Sequence, residues 1–366
     1  MLKLYNGNAH YNINPLLSCG CRWNGILSER SNGKSFAVMQ YCFIDALERG
    51  RNFALVYRYA REITKSDVDD YFSDTGLLKW LKRNTGYDGV TCDRNTKDLY
   101  FYKMENGKEK RVKKCGKAFC VELQKSYKSK HYDDIYNIIY EEYIIDDAPY
   151  LRNEWKEFNN LCSTIFRLRL DVKIFLLGNT TSRECPYMLE FGIDIFKVKQ
   201  GSITIAELQK EDGTKEKFAF ERCKPREDKE SIFFGSADKE ITGGEWSARE
   251  YPHLFVDLKE TEIIYTFFMI NELGGAWKCV EFLYNDLRYI YVYPFDFDDV
   301  QYFPSFDVFT DKHTESTMQK RNYFLHAEKK RQRRIYDIYR AGRFVYATNL
   351  CGTEFNNSLK RYNPFR

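Results

Sequence analysis

The stretch Arg22-Trp23-Asn24-Gly25-Ile26-Leu27-Ser28-Glu29-Arg30-Ser31-Asn32-Gly33-Lys34-Ser35 decides the fold of the N-terminal half. Arg22 to Leu27 reads as a short strand and Ser28 to Gly33 as a polar turn. Phe36, Met39, Phe43 and Leu47 then recur at helical spacing until Gly50 stops the helix. Phe53-Ala54-Leu55-Val56-Tyr57 follows as an unbroken apolar run, the pattern of a strand covered on both faces. Strand, loop, helix and strand in that order make a βαβ unit and predict a parallel sheet.

Residues 28–35 match GxxxxGK[ST], the Walker A pattern, except that Ser28 stands where the first Gly belongs. In such a loop the backbone N–H groups cradle phosphates at a helix N-terminus. The Lys reaches the β- and γ-phosphates and the hydroxyl ligates Mg2+. Lys34 and Ser35 fit those two roles, with Ser28, Glu29, Arg30, Ser31, Asn32 and Gly33 forming the cradle. The Cβ of Ser28 must be accommodated in a turn that Gly normally makes.

Ile135 to Tyr140 is a second buried strand, and it ends in the acids Glu141 and Glu142, the Walker B position. A nucleotide-hydrolysing site needs one acid there to hold Mg2+ and one carboxylate to deprotonate the attacking water. Glu141 is the metal-side candidate, although Asp is usual at that place, and Glu142 is the general base; the pair also reads as two solvated acids. Val172 to Leu177 gives a third strand ending at Gly178-Asn179, where Asn179 senses the γ-phosphate or the attacking water, or serves only as a turn residue. Trp155, Phe158, Leu161, Ile165 and Leu168 mark the helix before it. Arg167 and Arg169 at its end suit the helix dipole, or act as an arginine finger in a neighbouring subunit.

Elsewhere, Asp98 to Leu123 reads as two or three antiparallel strands forming an insertion or side sheet. Residues 195–235 are polar and turn-rich, which suits a small linker subdomain. Ile263 to Ile270, Trp277 to Phe282 and Arg288 to Tyr293 predict an antiparallel sheet, covered by two helices from the tail. The expected division is therefore 1–195, 196–235 and 236–366.

The 366 residues are 43% hydrophobic and 17% aromatic, which excludes a disordered chain. The longest apolar run, Ile263 to Ile270, is far short of the roughly 20 residues of a spanning helix, and the N-terminus does not read as a signal peptide. A soluble intracellular protein is expected. Eleven cysteines without a CxxC pair indicate neither a disulfide framework nor a zinc finger. The net charge is only +4, but residues 312–366 carry 13 Lys and Arg against 4 acids, which leaves 44 against 49 for residues 1–311. Within that basic tail, Lys329-Lys330-Arg331-Gln332-Arg333-Arg334 could present one helix face to phosphates or simply to solvent.

Taken in order, these segments resemble the DNA-packaging ATPases (DNA encapsidation proteins) of small tailed phages of the Picovirinae type. The resemblance is carried by ILSERSNGKSFAV, ALVYRYAREI, IIYEEYI, NLCSTIFRLRLDVKIFLLGNTTS and FFMINELGGAWKCVEFLYNDLRYIYVYP. It implies an α/β fold: a P-loop NTPase domain of the ASCE, RecA-like class with a parallel central sheet, a small linker subdomain, and a C-terminal RNase H-like α/β domain. It further implies an ATP- and Mg2+-dependent homo-pentameric ring. Such a ring docks on the portal of a procapsid in the host cytoplasm and drives double-stranded DNA inward, with no membrane partner and with use of a packaging RNA left open. By position, Glu142 activates water, Arg167 is the trans-acting finger and Asn179 is the coupling residue. Lys125, Lys128 and Lys130, with Arg58 and Arg61 as a second set, are candidates to hold DNA phosphates, or are solvated surface cations.

Two other readings stay open. One is a nucleic-acid-binding assembly protein that holds nucleotide without turnover. The other is a terminase with an active metal-dependent nuclease, for which Asp296, Asp298 and Asp299 are the candidate carboxylates, against their reading as a turn or surface loop.

Overall fold

The chain divides into two units, Met1–Thr180 with Lys199–Glu245, and Thr181–Val198 with Trp246–Arg366. The computed structural model describes residues 2, 4, 11–145, 150–151, 153–183, 185–193, 195, 197–210, 213–224, 249–271, 275–295, 307–310, 319–321 and 330–361.

In the first unit, helix α1 (Asn14–Ser18) leads into β1 (Trp23–Ser28), α2 (Lys34–Arg49) and β2 (Asn52–Tyr57). There follow α3 (Lys65–Tyr71), α4 (Thr75–Thr85), β3 (Gly89–Cys92), β4 (Asp98–Glu105), β5 (Lys108–Cys120), β6 (Ile135–Glu141), α5 (Glu154–Phe166) and β7 (Lys173–Asn179). After α6 (Pro186–Glu190) of the second unit, β8 (Ser202–Gln209) and β9 (Lys215–Arg222) return to the first. Among the described residues these strands form one sheet in the order β3-β4-β5-β2-β6-β7-β1-β9-β8. All neighbours from β5 to β9 in that order are parallel. Strand β7 separates the loop-bearing β1 from the acid-bearing β6, the strand order of the ASCE class of P-loop fold.

The predicted helix over residues 34–49 forms because Val38, Met39, Cys42, Phe43 and Ala46 share one face and are covered by the sheet. Each such fully covered large side chain contributes about 1.5–3 kcal/mol. Gly50 closes the helix in the left-handed conformation, φ 68°.

Two expectations change. The segment read as an insertion or side sheet is continuous with the main sheet, because β5 pairs with β4 at its start and with β2 at its end. Gly116 makes that possible: a Cβ there would sit 2.3 Å from the Phe53 carbonyl oxygen. Within residues 196–235, read as a linker subdomain, the described part supplies β8 and β9, and β9 runs parallel to β1. Their polar composition reflects incomplete cover: Phe218, Ala219 and Phe220 bury the middle of β9 on both faces, whereas no residue of the edge strand β8 is fully buried.

The second unit holds β10 (Glu262–Ile270), β11 (Ala276–Tyr284), β12 (Leu287–Pro294), β13 (Asp307–Thr310), β14 (Gln319–Arg321), α7 (Lys330–Arg340), β15 (Phe344–Tyr346) and α8 (Asn349–Arg361). Its sheet order is β14-β13-β10-β11-β12-β15. β10, β11 and β12 are antiparallel as predicted, and β13 and β14 continue parallel to β10. Three antiparallel strands extended from the first by two parallel ones is the RNase H-like arrangement. The sheet packs on Ile335 and Ile338 of α7 and on Cys351, Phe355 and Leu359 of α8.

Helix α8 buries an uncommon run of polar groups, Thr353, Glu354, Asn356, Asn357 and Ser358, and each has a partner. Arg183 Nη1 lies 2.8 Å from Glu354 Oε1, Tyr339 donates to Asn356 at 2.7 Å, and Asn271 donates to Ser358 at 3.2 Å. All eleven cysteines are free thiols; ten are buried and Cys19 is half-buried. No helix among the described residues is long and apolar enough to cross a membrane.

Candidate nucleotide site

The site is built at the C-terminal ends of β1, β6 and β7, where parallel strands deliver their following loops to one edge. Ser28 is the last residue of β1 and lies in register with Asn179, the last of β7. Because Ser28 keeps strand conformation, its Cβ costs nothing. The left-handed turns fall instead on Ser31 at φ 59° and Gly33 at φ 94°. Ser28 Oγ donates to the Glu29 carbonyl at 2.8 Å.

The Glu29 side chain is turned into the loop and fully buried. Its buried carboxylate accepts from Asn32 Nδ2 at 2.9 Å, so this pair braces the loop from inside. Tyr11 donates its backbone N–H to the Asn32 carbonyl at 3.2 Å, and Asn32 Nδ2 also lies 3.4 Å from the Lys224 carbonyl. Arg30 and Ser31 are left at the surface of the loop.

Lys34 opens α2 and is buried, with Nζ donating to Asn179 Oδ1 at 2.6 Å. Burial lowers its pKa from the ordinary lysine value, and the charges of Glu141, Glu29 and Glu142 work against that shift. Glu141 accepts hydrogen bonds from Ser35 and from the Tyr71 hydroxyl. Burial raises its carboxyl above the usual range, and those two hydrogen bonds and the Lys34 charge oppose the rise. Glu142 follows at φ 50° with its side chain exposed.

Lys34, Ser35, Glu141, Glu142 and Asn179 are thus brought together. The hydroxyl of Ser35 beside the Glu141 carboxylate is an oxygen donor set that suits a hard cation such as Mg2+. No cluster of three or more His, Cys, Asp or Glu is placed for a metal among the described residues, so an ion here would also need the oxygens of a nucleotide.

The other predicted residues lie elsewhere. Arg58 is a correction: only 5% of its side chain is exposed, and no polyanion can reach it. It pairs with Glu154 at 3.0 Å and donates to the carbonyls of Glu142 at 3.1 Å and Tyr143 at 3.2 Å, because a guanidinium drawn under β6 must be fully bonded. Arg61 is exposed at the loop end of the sheet, stacked over the Tyr59 ring at 4.9 Å. Lys125, Lys128 and Lys130 are exposed along the flank of α5, in a segment tied by Gln124 to Glu157 at one end. At its other end Lys130 offers its carbonyl to Arg167 Nη2 at 3.2 Å. Arg167 and Arg169 lie at the opposite edge of the sheet from the phosphate loop, since they precede β7 and Asn179 ends it. Asp296, Asp298 and Asp299 lie outside the described residues. Of the second sheet's carboxylates, Glu281 is fully buried between Arg288 and Arg334, each at 2.7 Å, and Asp307 pairs with Arg331 at 2.7 Å. Sequence reasoning missed Tyr71 and Glu154, whose contacts cross 70 and 96 residues of chain and leave no local pattern.

A parallel sheet with this loop, this pair of acids and one intervening strand defines a P-loop protein of the ASCE class. Within that class, the chain belongs to the Podovirus DNA encapsidation protein (Gp16) family, whose pattern matches residues 6–229. The DNA packaging proteins of Bacillus phages phi29 and PZA are each 30% identical to it over 185 residues, covering 50% of this chain and 50% of theirs. The chain therefore matches about half the length of these curated relatives. A chain from the bacteriophage Phi-29 viral genome packaging motor assembly has the same fold, with a TM-score of 0.52 at 19% identity over 97% of this chain and 100% of that one.

Proposed function

We propose that this protein is an ATP-hydrolysing ring motor that moves viral double-stranded DNA through the portal into a preformed capsid. The observation that carries the reading is the convergence of Lys34, Ser35, Glu141, Glu142 and Asn179 at one end of a parallel sheet. Lys34 and the N-terminus of α2 bind the β- and γ-phosphates of ATP, where the helix directs N–H groups and positive potential outward. Ser35 and Glu141 hold Mg2+, which supplies neutralisation of charge on the phosphate oxygens. Glu142, exposed beside them, takes a proton from the attacking water. Asn179 links the Lys34 ammonium to the end of β7 and so registers the loss of the γ-phosphate. Arg167, placed away from its own loop, completes the site of the neighbouring copy.

This reading places the ring, with five copies expected, at the procapsid portal in the host cytoplasm. Division of labour between the first unit, which holds the nucleotide site, and a nucleic-acid-facing second unit belongs to it, with an RNA scaffold as a further partner. Lys125, Lys128, Lys130 and Arg61 remain candidates for DNA phosphate contact. The decisive experiment measures ATP hydrolysis by the purified chain with Mg2+, with and without double-stranded DNA. DNA-stimulated turnover that Glu142→Gln abolishes while nucleotide binding persists is expected; no turnover under any of these conditions sinks the motor.

A further inference from the structure

Glu141 stands where Asp is usual at the end of the acid-bearing strand, and its side chain is one methylene longer. The extra carbon adds a torsion between the backbone and the carboxylate. Its oxygens therefore reach a fixed place only when a partner beside the strand holds them. Two hydroxyls do so. Ser35 donates from the first turn of α2, and Tyr71, the last residue of α3, donates to Oε1 from a second helix.

Tyr71 is a firm donor because α3 is pinned at several points. Thr64 caps its first turn, with Oγ1 accepting from the Asp67 N–H at 3.1 Å. Asp69 Oδ1 accepts from the backbone N–H of Cys92 at 2.7 Å and Lys65 donates to Thr91 Oγ1 at 3.1 Å, so the helix is tied to β3. Just past its end, Phe72 is buried against the rings of Phe43 and Phe53, each 6.2 Å away between centroids. A tyrosine has only two side-chain torsions, so fixing the backbone at residue 71 nearly fixes its oxygen.

A second phenol nearby lacks this bond. Tyr57 ends β2, which pairs with β6 through Val56 opposite Tyr140, and it lies close enough to feel the Glu141 charge. Its buried hydroxyl nevertheless meets no hydrogen-bond partner among the described residues. Nearness to Glu141 alone does not make the contact; placement by α3 does.

We infer that Tyr71 is a positioning residue for the cation, holding the Glu141 carboxylate where it can take Mg2+ together with Ser35. This rests on the proposed function for the presence of Mg-ATP at the site. A carboxylate has about four lone-pair positions, so the two hydroxyls leave room for the cation or its water.

The test uses the full chain with Mn2+ in place of Mg2+ and the non-hydrolysable analogue AMP-PNP, and follows Mn2+ binding by electron paramagnetic resonance. Tyr71→Phe removes one oxygen and keeps the ring. It should raise the Mn2+ concentration for half-saturation beside AMP-PNP about tenfold, with AMP-PNP binding in EDTA unchanged. Tyr57→Phe removes a hydroxyl that bonds nothing and should leave half-saturation as it is. Glu141→Asp withdraws the carboxylate from Tyr71 by one carbon–carbon bond, and in its presence Tyr71→Phe should have no further effect; the double-mutant cycle reads the coupling. Unchanged half-saturation in Tyr71→Phe overturns the inference, even where the melting temperature falls, because the bond is then structural only. An equal loss in Tyr57→Phe, or a Tyr71→Phe effect of the same size with and without Glu141→Asp, overturns it as well. Coupled Mn2+ binding without ATP turnover would count against the motor and support this assignment, whereas turnover without the coupling would do the reverse.

Discussion

The ammonium of Lys34 donates to the side-chain carbonyl of Asn179 across 2.6 Å, joining the first residue of α2 to the last residue of β7. Hydrogen bonds to a charged group contribute about 1.5–3 kcal/mol. Asn179→Ala should therefore weaken the hold on Lys34 and slow hydrolysis roughly tenfold to a hundredfold, with a smaller change in ATP affinity. Asn179→Asp puts a carboxylate against the Lys34 ammonium and, on the proposed function, should slow hydrolysis further. Steady-state rates with a parallel binding titration check both, and an unchanged rate in the alanine variant removes Asn179 from the site.

Arg58 separates two roles that look alike in sequence. As a buried partner of Glu154, its replacement by Ala should destabilise the first unit by about 3–5 kcal/mol, because a carboxylate is left buried and unpaired. Arg61→Ala should leave stability unchanged and reduce the salt dependence of DNA binding. Denaturant midpoints and binding titrations across ionic strength decide the matter. A stable Arg58→Ala chain with weakened DNA binding would reverse the assignment.

The basic tail divides in the same way. Arg334 is held by the fully buried Glu281, whereas Arg333 of the same helix is exposed. Arg334→Ala should lower the melting temperature of the second unit. Arg333→Ala should leave it unchanged and, if α7 meets phosphates, reduce the slope of log affinity against log salt by about 1. Both variants behaving alike in melting would show that the Glu281 clamp contributes nothing.

Glu354 gives the second unit a pH dependence of defined sign. Burial pushes its carboxyl up from 4.5 to about 7, with Arg183 opposing the rise. Between those values the folded chain holds a proton that the unfolded chain has released, so this contribution is fully present below about 4.5 and is lost as pH rises through about 7. Melting temperatures from pH 5 to 8 should fall for the natural chain, and Glu354→Gln should flatten that part of the decline. Parallel curves for the two chains would discard the assignment.

How much of this was legible in the sequence follows from where the determining contacts lie. The apolar runs before Ser28, Glu141 and Asn179 expose the strands directly, because a strand covered on both faces leaves no polar alternation to misread. Lys34 and Ser35 carry a motif whose spacing is set by one loop. β8 and β9 are the opposite case: at a sheet edge only part of each strand is covered, so their composition resembles a linker and their pairing with β1 has no local signature. Arg58 shows the limit for single residues. A cation after an apolar strand is visible, but the carboxylate that draws it inward lies 96 residues away.

The burial of ten of eleven cysteines bears on how the protein can be watched at work. Under native conditions a maleimide dye should find one addressable thiol, Cys19, while Cys42, Cys162 and Cys279 are shielded both by packing and by thiol pKa values raised through burial. Cys19 lies shortly before β1, the strand that carries the phosphate loop. The unaltered chain therefore comes with a single fluorophore attachment point on the nucleotide-binding unit, and subunit counting by stepwise photobleaching needs no cysteine-free background.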